Sequence, residues 1–277
     1  MDVLKIAAFS DGDVGGNPAG VSIADELPDD IAMQRIAAEV GFSETAFAAP
    51  AGNGWRVRYF SPESEVPFCG HATIALGAAL ALRNGNGVFP LTLNRAAITV
   101  EGRCNGKIIA AALQSPPTRS AAAPSQLVLA ALELFGYMQD DLDPSLPPAL
   151  AHGGADHLVL ALNTRAALAS MKYALNAGRM LMQGAGLITI LLVYAETAQL
   201  FHTRNPFASG GVYEDPATGA ATAAFAGYLR DIGWPHGGVI DIIQGEDMGM
   251  RSRLRAEFST VSGSSVRVSG TARVMLS

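Results

Sequence analysis

Cys69-Gly70-His71-Ala72-Thr73-Ile74-Ala75-Leu76-Gly77-Ala78-Ala79-Leu80-Ala81-Leu82 decides how this chain of 277 residues folds. From Ala72 to Leu82 it is long enough for a helix, rich in Ala and Leu, and apolar on every side. A helix without a polar face has to be surrounded by other structure. The same composition recurs from Ala220 to Leu229. At an offset of 149 residues, Pro67 aligns with Pro216, Gly70 with Gly219, Ala72 with Ala221, Thr73 with Thr222, Ala75 with Ala224 and Leu80 with Leu229. Alanine-rich helices match easily, so the Pro, Gly and Thr matches carry the weight. The chain reads as two related halves, each with one buried central helix.

The segments around these helices are strand-like: 3–9, 21–24 after a glycine-rich loop at 10–20, 42–48, 55–60, 91–100, 107–113, 157–162, 186–195, 239–244 and 251–258. A curled sheet buries a central helix on all sides and uses half-buried strands, so the fold class expected is α/β (α+β), two related lobes each with a sheet wrapped around its helix. Pro28-Asp29-Asp30 starts a further helix, with Met33, Ile36, Ala37 and Val40 at helical spacing and Gly41 as its stop. Helices are also expected over 126–135 and 164–174. Pro116-Pro117 and the Ser/Ala/Pro stretch to Ser125 make the best linker. The expected lobes are therefore 1–117, with Glu44 and the Gly70-His71 helix start, and 118–277, with the Asp215–Gly219 helix start. A last strand near 266–275 is free to return to the first lobe.

Hydrophobic residues make up 49% and charged residues 16%, which excludes a disordered chain. The net charge is −6 and no basic block exists, so nucleic acid and acidic membrane are poor partners. Arg251, Arg253 and Arg255 alternate and read as one face of a strand. Two cysteines, Cys69 and Cys104, make no disulfide framework and fit reduced thiols in a cytoplasmic protein. No signal peptide is visible, and the longest apolar run, 187–195, is far shorter than a membrane span.

Each buried helix begins at a glycine beside small polar residues. Its first N–H groups lack internal acceptors and carry partial positive charge, so Cys69-Gly70-His71-Ala72-Thr73 and Asp215-Pro216-Ala217-Thr218-Gly219-Ala220 each offer an anion site suited to a small carboxylate. Either glycine could instead serve tight helix packing. His71 is either a capping or core histidine or an acid/base group. Asp215 either caps its helix, binds a ligand or orients His71. Glu44, alone in the uncharged stretch 42–47, is either an exposed glutamate at a strand edge or a base able to trade protons with carbon acids. Asn17 binds ligand through its amide or only makes a turn. The sequence has no C-x-x-C, H-E-x-x-H, Walker or G-x-S-x-G motif, and Asp11–Gly16 is too loose for a dinucleotide fingerprint, so no metal, nucleotide cofactor or nucleophilic serine is expected.

Taken together, Gly16-Asn17-Pro18-Ala19-Gly20-Val21, Ser43-Glu44-Thr45-Ala46-Phe47, Arg58-Tyr59-Phe60-Ser61-Pro62, Glu65-Val66-Pro67-Phe68-Cys69-Gly70-His71-Ala72-Thr73, Glu214-Asp215-Pro216-Ala217-Thr218-Gly219 and Gln244-Gly245-Glu246-Asp247-Met248-Gly249 resemble the PhzF-like isomerase family of phenazine biosynthesis. The resemblance implies the diaminopimelate-epimerase-like fold. It implies a cofactor-independent isomerisation in which Glu44 moves a proton between carbons of a small cyclic carboxylate. By the same resemblance, His71 and Asp215 contact the substrate beside it. The resemblance further implies that Asn17, Gly70, Thr73, Thr218, Gly219 and Ala220 line its place and, since family members are commonly homodimers, that this chain forms one too.

Two departures separate this chain from the phenazine enzyme. Ala220 stands where that enzyme has a substrate-contacting serine, and Met248-Gly249-Met250-Arg251-Ser252 replaces the usual Met-Gly-Arg-Pro-Ser. Cys69 also falls where epimerase and racemase relatives place one of two catalytic thiols, but the second half holds Pro216-Ala217-Thr218 there. The alternatives are therefore an epimerase-like enzyme using Cys69 alone and a non-catalytic carboxylate-binding protein.

Overall fold

In the computed structural model, which describes residues 2–275, the chain forms two compact units: Met1–Gln114 with Ser269–Ser277, and Ser115–Val268. The division falls at 114/115, three residues before the expected 117/118, and the final stretch belongs to the first unit.

The first unit begins with β1 (Leu4–Ala8), β2 (Asn17–Ile23), α1 (Asp30–Val40), β3 (Thr45–Ala51), β4 (Gly54–Phe60) and β5 (Glu65–Val66), then α2 (Gly70–Asn84), β6 (Gly87–Thr92), β7 (Ala97–Asn105) and β8 (Ile108–Gln114). Asp29 caps α1 by accepting the Ala32 N–H at 2.8 Å, and Gly41 ends it in the left-handed conformation at φ 73°. Every residue of α2 from His71 to Ala81 is buried, and strands β1, β2, β3, β6, β7 and β8 pack against it. The crossover between the parallel pair β4 and β6 is this helix, because parallel neighbours need a long connection.

Backbone approaches backbone where α2 meets β7. A Cβ on Gly102 would sit 2.1 Å from the Gly77 carbonyl oxygen, and one on Gly77 would sit 2.5 Å from Val100 Cγ2. Neither neighbour is the end of a flexible chain. Gly102→Ala is expected to lower stability by about 1–3 kcal/mol through overpacking, read as a lower urea midpoint with an unchanged slope. An unshifted midpoint would mean that α2 is less tightly enclosed.

The second unit carries β9 (Arg119–Ala122), α3 (Ser125–Phe135), β10 (Ala149–His152), β11 (Asp156–Ala161), α4 (Arg165–Ala169), α5 (Leu175–Gly184), β12 (Thr189–Ala195), β13 (Leu200–Arg204), α6 (Gly219–Asp231), β14 (Val239–Gln244) and β15 (Ser252–Glu257). Gly219 and all residues of α6 from Ala221 to Arg230 are buried, packed on β9, β10, β11 and β15. The strands β10 to β15 pair in the order antiparallel, parallel, antiparallel, parallel, antiparallel. β1, β2, β3, β4, β6 and β7 follow the same order. In both units the central helix joins the second parallel pair. Strands β11 and β12 are buried on both faces, because α3, α4 and α5 cover the side that α6 does not. That double cover is why 187–195 is almost continuously apolar instead of alternating.

The chain then returns. β16 (Arg267–Val274) pairs antiparallel with β1, Ile6 opposite Val274 and Ala8 opposite Ala272, and lies beside β8. The first unit's strands thereby close into a ring, β1-β2-β3-β4-β6-β7-β8-β16, around α2.

Four local expectations need correction. β2 begins at Asn17, inside the stretch read as a loop, because a turn at Gly15 and Gly16, both at positive φ, folds 17–20 back onto β1. Residues 91–100 are two strands, divided by a turn in which the Leu93 N–H reaches the Ala96 carbonyl at 2.8 Å. The supposed linker contains β9, which pairs with β10. The helix expected over 164–174 is only the five residues of α4, and α5 follows it. Among the described residues no helix is long and apolar enough to cross a membrane.

His157, at the second position of β11, is fully buried. Its Nδ1 lies 2.6 Å from Thr189 Oγ1, and its Nε2 has no partner. Burial pushes its pKa down from 6.5 to about 4; the His152 charge acts in the same direction and Asp156 opposes them. The unfolded chain therefore binds a proton that the native one refuses between these values, so stability falls as pH drops through that window. Wild type is expected to lose about 2 kcal/mol from this group between pH 7 and pH 5. His157→Asn should be less stable at pH 7 but lack that part of the acid sensitivity in urea titrations at the two pH values. An equal acid loss in both proteins would exclude His157 as its source.

Candidate active site

In the first unit the site is assembled from the entry to β3 and the start of α2. Glu44 immediately precedes β3, and its carbonyl accepts the Gly20 N–H from β2 at 3.1 Å, which fixes the backbone beneath it. The other wall is brought in by the loop after β4. Ser61 ties that loop into a turn, accepting the N–H groups of Glu63 and Ser64 on its hydroxyl. Arg58 grips Glu65 through two hydrogen bonds of 2.7 Å and also bonds Asp30 of α1. These partners raise the Arg58 pKa, with Glu65 the leading cause, so the pair stays charged.

Cys69 is then the N-cap of α2, in extended conformation, and its side chain makes no capping bond. The Thr73 hydroxyl donates to the Cys69 carbonyl at 2.6 Å and so accepts from Tyr59 Oη at 2.7 Å. Burial, against the Thr73 bond, raises the Tyr59 pKa, which keeps the phenol a proton donor. No acidic residue occupies the first turn of α2. Its leading N–H groups are left for an anion. A Cβ on Gly70 would meet nothing within 4 Å, so tight packing does not explain this glycine; it faces open space at the positive end of the helix.

Into that space come three reactive side chains. His71 Nε2 lies 3.4 Å from Glu44 Oε2 and 3.4 Å from Ser43 Oγ, and His71 Nδ1 lies 3.3 Å from Cys69 Sγ. Glu44 retains 16% side-chain exposure and His71 8%, so Glu44 is neither a surface glutamate nor sealed off. The Nε2 edge of the ring thus faces Ser43 and the Glu44 carboxylate, and the Nδ1 edge faces the Cys69 thiol. Asn17 is buried at the start of β2, paired through its backbone register with Ala8.

In the second unit, Asp215 and Thr218 stand before α6. The N-cap is Thr218, whose own side chain makes no capping bond. Thr218 Oγ1 donates to Asp215 Oδ2 and accepts from Asn205 Nδ2 and Gln244 Nε2. Gln244 also bonds the Thr218 N–H at 3.2 Å and the Asp215 carbonyl at 2.7 Å. Gly219 is buried and Ala220 half-buried behind them. The preceding residues are clamped as well. Arg204 Nε and Nη2 bond Glu214 at 3.0 and 2.5 Å, and the Asp215 N–H donates to the Asn205 carbonyl at 3.0 Å. Burial opposes the Arg204 charge, but the Glu214 bonds outweigh it and the pKa rises.

Glu44, Gly70, His71 and Thr73 are thus together in one unit, and Asp215, Thr218, Gly219 and Ala220 in the other. Sequence reading missed Ser43, Tyr59, Asn205 and Gln244. Ser43, Tyr59 and Gln244 lie inside motifs quoted above, and their roles depend on partners from other strands.

The family model for phenazine biosynthesis-like proteins, PhzC-PhzF, matches residues 6–277. The chain belongs to this family of isomerases. Among curated relatives, an uncharacterised isomerase of Mesorhizobium japonicum is 32% identical over 97% of this chain and 95% of its own length. The trans-2,3-dihydro-3-hydroxyanthranilate isomerase of Pseudomonas aeruginosa is 33% identical over 96% of this chain and 94% of its own. Among solved structures, a Bacillus anthracis phenazine biosynthesis protein of the PhzF family superposes with a TM-score of 0.86 at 23% identity, covering 100% of this chain and 98% of its own, which shows the shared mixed α/β fold.

Proposed function

We propose that this PhzF-family isomerase moves a proton between two carbons of a small cyclic carboxylate, with Glu44 as the base that removes and returns it. The observation that carries the reading is the half-buried Glu44 carboxylate beside His71, at the mouth of an α2 start that is open at Gly70. The substrate carboxylate takes the first N–H groups of α2. Glu44 removes a proton from the carbon next to the unsaturated system, whose conjugation takes up the electron pair. The protonated Glu44 returns the proton to another carbon of that system, so no atoms or electrons are gained or lost. His71, whose Nε2 faces Glu44 Oε2 at 3.4 Å, orients the carboxylate.

The test is NMR in deuterated solvent with trans-2,3-dihydro-3-hydroxyanthranilate and other cyclic carboxylates. Deuterium entering one ring carbon during isomerisation supports the reading. Binding without exchange or isomerisation across the panel would favour a carboxylate-binding protein.

A second reading is favoured by the 3.3 Å contact between Cys69 Sγ and His71 Nδ1: a thiol proton shuttle of the epimerase kind. Under it, Cys69→Ser removes turnover. Under the Glu44 reading, Cys69→Ser keeps turnover within about ten-fold, since the hydroxyl still donates to Nδ1.

A further inference from the structure

We propose that a groove beside α1, separate from the site at Glu44 and α2, binds a small hydrophobic monocarboxylate. The groove encloses about 450 Å³, within the ~300–1,000 Å³ range of small-molecule sites. One wall is formed by Val3, just ahead of β1, and Lys5, two residues on and so on the same face. The other is a flank of α1, where Ala32, Ile36 and Val40 recur every four residues and are half-buried. Met33 and Ala37 are the residues of α1 that are fully buried, so this flank is left partly uncovered.

The charges along the groove select the occupant. Arg35 Nε lies 3.9 Å from Glu39 Oε1 and both side chains are exposed, so these two offset each other. Lys5 is half-buried, and among the described residues its ammonium has no ion pair or hydrogen bond; it lies over the Phe42 ring, 5.8 Å from the centroid. One unmatched positive charge on an apolar wall fits one carboxylate on an apolar body. A polyphosphate or a dicarboxylate finds no second free cation, and Asp29 and Asp30 hold the start of α1 against further negative charge.

The groove adjoins the segment that seats Glu44. Phe42 is two residues before Glu44. Val40 abuts Gly20, whose N–H holds the Glu44 carbonyl: a Cβ on Gly20 would lie 3.1 Å from Val40 Cγ1. An occupant that draws Lys5 off Phe42 and presses on Val40 therefore acts on that segment. A change in turnover rests on the proposed role of Glu44; binding in the groove does not.

The probe is 4-fluorophenylacetate, titrated into the full-length protein and followed by fluorine NMR of the probe and methyl NMR of the protein. The methyl signals of Val3, Ile36 and Val40 are expected to shift together. Lys5→Met keeps the apolar stem and is expected to weaken binding about ten-fold with an unchanged urea midpoint, and Lys5→Arg to keep affinity within about three-fold. The neutral 4-fluorophenylacetamide should bind wild type and Lys5→Met equally. Groove methyls that stay in place, signals that move only around Gly70, or equal affinity of wild type and Lys5→Met for the acid would overturn the site. In turnover, saturating probe should lower kcat with KM unchanged. Groove binding with turnover unaltered would remove the effect on Glu44 and leave the site. Groove binding in a protein without isomerase activity under any condition would sink the proposed function instead.

Discussion

Glu44→Gln is expected to lower isomerisation about 10²–10⁴-fold while leaving the urea midpoint within experimental error of wild type. Glutamine keeps the size of the side chain and an oxygen facing His71 Nε2, so the architecture survives. It cannot accept and return a proton. Nothing else in the first unit replaces it: Ser43 is a weak base, and Cys69 addresses the other ring nitrogen of His71. The substrate carboxylate is assigned to the first N–H groups of α2, so KM should move by only a few-fold and the loss should fall on kcat. Steady-state kinetics together with solvent deuterium incorporation provide the check. A variant that keeps more than a tenth of the rate, with exchange intact, removes Glu44 from the chemistry.

Arg204→Met carries the largest stability effect, a loss of about 3–5 kcal/mol. The Arg204 side chain is 8% exposed and that of Glu214 2%. Arg204 also donates to the carbonyls of Ala169 and Met171, so one guanidinium ties the α4 end to the segment before α6. Removing it leaves a buried carboxylate without its counter-charge and two carbonyls without a donor. The double variant Arg204→Met/Glu214→Leu should recover much of the loss, because the stranded charge dominates it. Guanidinium unfolding of the two variants and wild type measures both numbers. If the double variant is as unstable as the single, the packing of the guanidinium stem outweighs the charge.

The central helices were legible because full enclosure leaves no polar face, and α2 and α6 show none. The start and stop of α1 were legible because Asp29 and Gly41 act through their own backbone neighbourhood. What failed has one cause: the pairing partner lies far along the chain. β9 reads as a Ser/Ala/Pro linker until β10 comes alongside, and β13 is five residues without a periodic pattern. The turn at 93–96 depends on a single hydrogen bond. At the site, Glu44 stood out as the lone acid of an apolar stretch, whereas Gln244 acquires its meaning only by reaching Thr218 and Asp215.

β16 closes the ring of strands around α2, and a ribosome makes it only after the whole second unit. Residues 115–268 can all emerge while β1 and β8 still wait for the neighbour that separates them. The unit encoded first is thus finished last, and its two open strand edges are exposed to other nascent chains for most of translation. A chain cut just ahead of residue 267 would leave that edge permanently bare, so truncation before β16 should produce aggregates instead of a slightly shortened, working protein.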